Sequence, residues 1–293
     1  MGSPAMTGAV VVAFDGSVAA REAAYWAAEE AVARGCPLQL VHVLHWPVRA
    51  LAGLGLPEAA LDGERARAAA TAAIELAAER CRQHAPGLEA RVEVLRGEAV
   101  EVLSRLAADA ELLVLGACGQ TAAPSVLLGS SAAELLRGTA GPVVVVRDTP
   151  VRRAGVAQQV VAGVDGSPAS ARVLRAALAA AGRRGWEVTA VHAWSDLPLE
   201  ALTGRVDLDR AAARERAAAT LAALVADVHP EHPAVPLRQV AAADHPAAAL
   251  LDRAAGAALL AVGRHGRGAA PAPLGSVCHA VAHYAPCPVA VVT

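Results

Sequence analysis

A seven-residue string that occurs twice constrains this chain more than any other feature. Val11-Val12-Ala13-Phe14-Asp15-Gly16-Ser17 returns, in altered but recognisable form, as Val161-Ala162-Gly163-Val164-Asp165-Gly166-Ser167, 150 residues on. Four further matches follow in the same order. Val41-His42-Val43 and Trp46 answer to Val191-His192-Ala193 and Trp194, and Leu113-Val114-Leu115-Gly116 to Leu260-Ala261-Val262-Gly263. Leu128-Gly129-Ser130 answers to Leu274-Gly275-Ser276, and Gly141-Pro142 with its four valines to Cys287-Pro288-Val289-Ala290-Val291-Val292. Ordered matches with a slowly drifting offset are the mark of a tandem duplication. Two domains are expected, over residues 7–148 and 157–293, joined by the polar Pro/Gly-punctuated stretch from Asp148 to Gly155. The copies differ in charge: residues 1–150 carry a net of -5 and residues 151–293 a net of +3, which leaves -2 overall.

Within each copy, short Val/Leu runs alternate with Ala-rich stretches of helical length. In the first copy the runs at about 9–14, 38–45, 90–95, 111–116 and 142–147 read as strands. Helices are expected near 17–34, 62–84, 98–109 and 129–138. Strands that are apolar on both faces belong to a parallel sheet covered by helices on each side. The reading is therefore α/β, two doubly wound domains whose ligand crevice lies at the carboxyl ends of the strands, near the switch in strand order. About a quarter of the residues are alanine and only 2% are aromatic, a composition suited to close helix–sheet packing.

Composition excludes several chemistries. The chain has no lysine, so all 26 basic residues are arginine. That rules out a Walker A loop, a kinase strand lysine and Schiff-base chemistry. The near-neutral charge argues against a nucleic-acid partner. No apolar run approaches the ~20 residues of a membrane span. Met1 to Met6 has neither a basic nor an apolar signal region, with Met6 an alternative start. Five cysteines without a Cys-x-x-Cys pair suit a cytoplasmic protein with reduced thiols.

The loops after the fourth strand carry the functional signal. In the first copy Gly116-Ala117-Cys118-Gly119 is followed by nine residues and then Gly129-Ser130-Ser131. Small residues let backbone approach phosphate oxygens, and the N–H groups of a helix starting at Gly129-Ser130 point into the crevice. Asp15, at the end of strand one, is placed to accept from a ribose hydroxyl or to hold Mg2+ with the phosphates.

The strand-Asp-Gly-Ser opening, Val-His-Val on strand two, Gly-x2-Gly-x9-Gly-Ser and the closing His283-Tyr284-Ala285-Pro286-Cys287-Pro288-Val289 together resemble the universal stress protein (UspA) family, of the tandem actinobacterial kind. The resemblance covers both halves. It implies two Rossmann-like domains of the adenine nucleotide alpha hydrolase-like type, each a five-stranded parallel sheet in order 3-2-1-4-5, and ATP as ligand. It would put Asp15 near ribose and metal, the Val43 backbone at the adenine edge, and Gly116, Gly119, Gly129, Ser130 and Ser131 along the phosphates. In the second copy Asp165, Ala193, Gly263, Gly266, Gly275, Ser276 and Val277 would take the same roles.

Each copy departs from that pattern. Gln120-Thr121-Ala122-Ala123-Pro124 supplies no cation, whereas Arg264, His265 and Arg267 do. The second spacer, between Gly266 and Gly275, has eight residues and includes Pro271 and Pro273. One missing residue can move the Gly275 and Ser276 donors by up to ~3.5 Å unless the loop re-forms.

Other candidates read as structural. Cys278, His279, His283 and Cys287 have no matching ligands in the first copy, so a metal site is not expected. His42 and His192 read as hydrogen-bonded strand histidines. No Gly-x-Ser-x-Gly elbow surrounds Ser17, Ser130 or Ser276. The runs around Arg65 and Arg67, and from Arg205 to Arg216, read as solvated helix faces.

The leading expectation is a cytoplasmic, ATP- and Mg2+-binding regulator read by a protein partner of unknown identity. Slow ATP hydrolysis assisted by Arg264 or Arg267, or a scaffold that binds no nucleotide, are the alternatives. Strand five, valine-rich and at the sheet edge, is expected to pair within the chain or in a homodimer.

Overall fold

A computed structural model describes residues 8–45, 63–119, 128–147, 157–194, 210–267 and 274–293. Trp46, Gln120 to Pro124, the linker from Asp148 to Gly155, Arg205, Pro271 and Pro273 lie outside the described residues. The chain divides into two compact units, residues 1–146 and 147–293.

The first unit runs β1 (Val10–Ala13), α1 (Val18–Arg34), β2 (Leu38–Leu44), α2 (Glu64–His84), β3 (Ala90–Arg96), α3 (Ala99–Asp109), β4 (Leu112–Gly116), α4 (Ser130–Gly138) and β5 (Val143–Val146). The second runs β6 (Ala157–Gly163), α5 (Pro168–Gly182), β7 (Glu187–Ala193), α6 (Arg210–Val228), a 3-10 turn, β8 (Leu237–Ala242), α7 (Pro246–Ala254), β9 (Ala257–Gly263), α8 (Ser276–Tyr284) and β10 (Val289–Val292). All the pairings within each unit are parallel. The order is β3-β2-β1-β4-β5 in the first unit and β8-β7-β6-β9-β10 in the second, the expected 3-2-1-4-5 in both.

Strand order reverses at β1 and β6. Right-handed crossovers therefore send α1 and α2 to one face and α3 and α4 to the other. α1 packs on α2, and α3 on α4; α5 with α6 and α7 with α8 repeat the arrangement. Val10, Val12, Leu38, Leu40, Leu113 and Val143 are fully covered, as sheet residues with helices on both sides must be.

α1 shows why alanine dominates. Ser17 starts it, its hydroxyl accepting the Ala20 N–H, and Gly35 ends it in the left-handed conformation, φ 66°, that only glycine adopts cheaply. Ala20, Ala23, Ala24, Ala27, Ala28 and Ala31 form its buried stripe. Such small side chains bring the helix backbone against the sheet. A Cβ on Gly116, at the end of β4, would stand 2.8 Å from the Ala19 carbonyl carbon and the Ala20 nitrogen.

Candidate functional site

Each crevice is built from three loop ends at the switch point. In the first unit β1 ends at Ala13, while β2 runs three residues past the Ala13–Val41 pair. The Phe14 N–H donates to Val41 O. By the alternation of a strand, the N–H and C=O of Val43 point to the same side as those of Val41, past the end of β1. Ala193 is placed identically in the second unit, where the Val164 N–H donates to Val191 O. His42 and His192 brace this junction. Their Nδ1 atoms lie 2.8 and 2.9 Å from Phe14 O and Val164 O. A carbonyl only accepts, so Nδ1 carries the proton in each ring.

Asp15 follows. Its Oδ1 accepts the Ser17 N–H at 2.9 Å. A Cβ on Gly119 would be 2.9 Å from Asp15 Oδ2, so the loop after β4 passes directly over this carboxylate and only glycine fits there. The Ser17 hydroxyl reaches Cys118 O at 3.3 Å, a second tie between the two loops. The spacer returns at Gly129, whose N–H donates to Ala117 O at 2.7 Å. α4 then begins with no side-chain cap, and Ser130 and Ser131 are exposed in its first turn. Uncapped first-turn N–H groups beside a glycine loop favour an anion.

The shortened spacer of the second unit leaves its ends in register. The Gly275 N–H donates to Arg264 O at 2.9 Å, the counterpart of the Gly129 bond. A Cβ on Gly275 would meet Arg264 O, His265 Cα and Gly266 N; one on Gly129 would meet Ala117 O, Cys118 Cα and Gly119 N. The helix start is therefore not displaced by the shorter spacing. α8 likewise lacks a side-chain cap, but Val277 replaces the second serine.

The carboxylates differ more than the spacers. Asp165 Oδ1 accepts from the Ser167 N–H and the Ser170 hydroxyl, both at 2.9 Å, and Oδ2 from the Arg267 N–H at 2.8 Å. Ser170 Oγ in turn accepts the N–H groups of Asp165 and Gly166, at 3.0 and 3.1 Å. Burial pushes the Asp165 carboxyl up, but hydrogen bonds from Ser167, Arg267 and Ser170 outweigh it and hold the group below its ordinary range. The first unit has Ala20 where Ser170 stands.

The two arginines part company. The Arg267 guanidinium folds over Gly166, which the Thr220 methyl also approaches. Arg264 is half-buried, which lowers its affinity for its proton, and its charge is felt by the Cys278 thiol.

The profile of the family described as "Universal stress protein family" matches residues 6–147 and 157–293. The chain belongs to that family. The universal stress protein Rv2005c of Mycobacterium tuberculosis (strain ATCC 25618 / H37Rv) is 36% identical over 99% of both chains. The universal stress protein Rv2623 of the same organism is 34% identical over 96% of this chain and 95% of its own. Among solved structures, a universal stress protein of Archaeoglobus fulgidus DSM 4304 covers 97% of this chain and 96% of its own, with a TM-score of 0.68 and 19% identity. The chain is thus a tandem universal stress protein.

In this universal stress protein the structure brings together Asp15, Gly116, Gly119 and Gly129 in the first unit. It brings Asp165, Gly266 and Gly275 together in the second. Val43 and Ala193 present backbone. Ser167 belongs to the repeated Asp-Gly-Ser string, whereas Ser170 is not among the expected site residues; its signal is the exchange of Ala20 for Ser170 at equivalent positions.

Cys278 and Cys287 are buried, with thiols pushed up to about 12. His279 and His283 stack at 4.3 Å. Among the described residues no group of three or more His, Cys, Asp or Glu is placed to hold a metal ion. No described helix is long and apolar enough to cross a membrane. Arg65, Arg67, Arg214 and Arg216 lie on exposed helix faces.

Proposed function

We propose that this universal stress protein is a nucleotide-dependent regulator that binds ATP in its crevices. The observation that carries this reading is the paired geometry of Gly119 over Asp15 and Gly129 bonded to Ala117, at an uncapped helix start. Phosphates would be held by backbone N–H groups and by Ser130 and Ser131, the Asp15 carboxylate would meet ribose or metal, and Val43 backbone would edge the base. This is how a chain without lysine holds a triphosphate.

Mg2+, bound with the phosphates, supplies charge neutralisation. Asp15 and Asp165 are the carboxylates that would meet it; the Asp165 oxygens already accept from Ser167, Ser170 and Arg267, which leaves room for about one further partner. ATP bound in the first unit would favour one arrangement of the loops, to be read by a partner or by assembly. Edge strands β5 and β10 are where we place pairing, within the chain or between two chains.

Calorimetry with Mg-ATP tests the reading. Saturable binding that weakens on Gly119→Val is expected, since the added Cβ meets Asp15 Oδ2. No heat of binding at millimolar ATP overturns it. Light scattering that returns the mass of a single chain confines strand-five pairing to within the chain.

A further inference from the structure

A cavity of about 160 Å³ opens between α1 and α2 of the first unit, on the helical face rather than in the crevice. Its inner wall is apolar, with Phe14, Ala77 and Cys81. The Cys81 thiol is pushed up to about 11 by burial, so this wall is uncharged at neutral pH. Tyr25 forms one side, steadied by the His84 ring 5.0 Å away, and Leu76 lies at the rim, 53% exposed.

The remaining wall is cationic. Arg21 and Arg80 both line the cavity, and among the described residues no lining residue is acidic. Arg21 is held in place by its own bond from Nη1 to Gly16 O, at 2.6 Å. A cavity of this size accommodates one six-membered ring, as a dry cavity of about 150 Å³ accommodates benzene. Two guanidiniums with no counter-charge in the cavity wall among the described residues select an anion, and a carboxylate matches their fork geometry.

The second unit is an internal control. α5 follows α1 at an offset of 150, which puts Ala171, Leu174 and Arg175 at the positions of Arg21, Ala24 and Tyr25. α6 follows α2 at an offset of 147, because buried Ile74, Ala78 and Cys81 match buried Leu221, Val225 and Val228. Thr220 and Asp227 then stand where Ala73 and Arg80 do. Leu174 is fully buried, and Arg175 is paired with Glu231 at 2.9 Å and Asp227 at 3.8 Å. The Arg267 guanidinium and the Thr220 methyl both crowd Gly166, the counterpart of Gly16. The second unit fills with its own side chains, and neutralises, the place that the first leaves as a cavity with a cationic wall.

We propose that the α1–α2 cavity of the first unit binds a small aromatic carboxylate, its ring on Phe14 and Leu76 and its carboxylate between Arg21 and Arg80. Gly16 follows Asp15, so a ligand here bears on the turn that presents that carboxylate, which makes the cavity a second, separate input to the same unit.

Sodium benzoate is the probe, titrated into the full chain by calorimetry, with benzyl alcohol as a neutral ring of like size. For so few atoms a Kd of about 1 mM is expected. Benzyl alcohol should bind at least about tenfold more weakly, and so should benzoate to Arg80→Asp, an exposed change that copies Asp227. Ala24→Leu, which copies Leu174, should abolish binding; if it unfolds the chain by circular dichroism, Arg80→Asp decides alone. Absence of saturation at about 10 mM benzoate, well above the expected Kd, overturns the proposal. Equal binding of benzyl alcohol, or benzoate binding that Arg80→Asp leaves unchanged, overturns it as well.

Discussion

The backbone N–H of Arg267 donates to Oδ2 of Asp165 at 2.8 Å, joining residues 102 apart in the chain. This bond closes the loop after β9 onto the turn after β6, and Ser167 and Ser170 hold the other carboxylate oxygen. Asp165 is consequently an ionised group whose folded-state pKa lies below its ordinary value of 3.8. A depressed carboxyl stabilises the fold above the unfolded pKa, and that contribution is lost as pH falls through the folded value. Asp165→Asn should remove about 1 kcal/mol at neutral pH, a modest figure because the group is half-exposed. It should also flatten this share of the acid-side loss. Ser170→Ala takes away one of the lowering bonds and should narrow the window. Thermal unfolding followed from neutral pH to well below 3.8 measures both; an Asn variant with the wild-type acid slope would contradict the assignment.

The matched glycines predict unequal tolerance. A Cβ on Gly116 would lie 2.8 Å from α1 backbone, which has no rotamer by which to move away. Gly116→Ala should therefore cost about 1–3 kcal/mol by overpacking. On Gly263 the nearest atoms are His265 O at 3.1 Å and Ala169 Cβ at 3.6 Å, and a shift of a few tenths of an ångström relieves the contact. Gly263→Ala should cost less than about 1 kcal/mol. Urea unfolding of the two variants should rank them in that order.

These particulars show where sequence reading succeeds and where it stops. Strand and helix positions were legible because apolar runs and capping residues act locally: Ser17 opens α1, and the run at 111–116 becomes β4 at 112–116. The strand order came with the family resemblance, and Gly119 and Gly129 were found because close backbone approach demands glycine. What Ser170 does was not legible, since its hydroxyl meets Asp165 only once the first turn of α5 has formed. That Gly275 keeps its bond to Arg264 despite the shorter spacing was equally hidden, because a loop's ends are fixed by the strand and helix that it joins and not by its length alone. Arg21 and Arg80 share a cavity only because α1 and α2 pack together, and nothing in their spacing announces it.

A buried ion pair gives the next prediction. Glu30 is 2% exposed in α1 and receives the Arg34 Nε–H at 2.6 Å, while Arg34 Nη1 reaches Glu111 at 2.8 Å. Arg34→Met keeps the helix and most of the side-chain volume but leaves Glu30 with its charge partner removed. The loss should be about 3 kcal/mol. Arg82, whose link to Glu79 is exposed and 3.4 Å long, serves as control; Arg82→Met should cost at most about 1 kcal/mol. Equal losses in denaturant unfolding would remove the special role of the Glu30 pair.

Thiol labelling reads the first crevice without mutation. Cys81, Cys278 and Cys287 are buried, with thiols pushed up to about 11, 12 and 12, so they should react only when the chain unfolds. Cys36 and Cys118 are half-exposed, and burial raises the Cys36 thiol, which slows its reaction. Cys118 lies between Gly116 and Gly119, and its carbonyl accepts the Ser17 hydroxyl, so its access follows the loop that Asp15 and Gly119 define. Maleimide should modify Cys118 and, more slowly, Cys36 in the native protein, as peptide mass mapping would show. Mg-ATP should slow Cys118 several-fold and leave Cys36 unchanged, because only the first of these thiols borders the proposed phosphate site. Protection of both thiols would instead point to a change across the whole unit. An unaltered Cys118 rate under saturating Mg-ATP would mean that nucleotide, if bound, does not engage this loop.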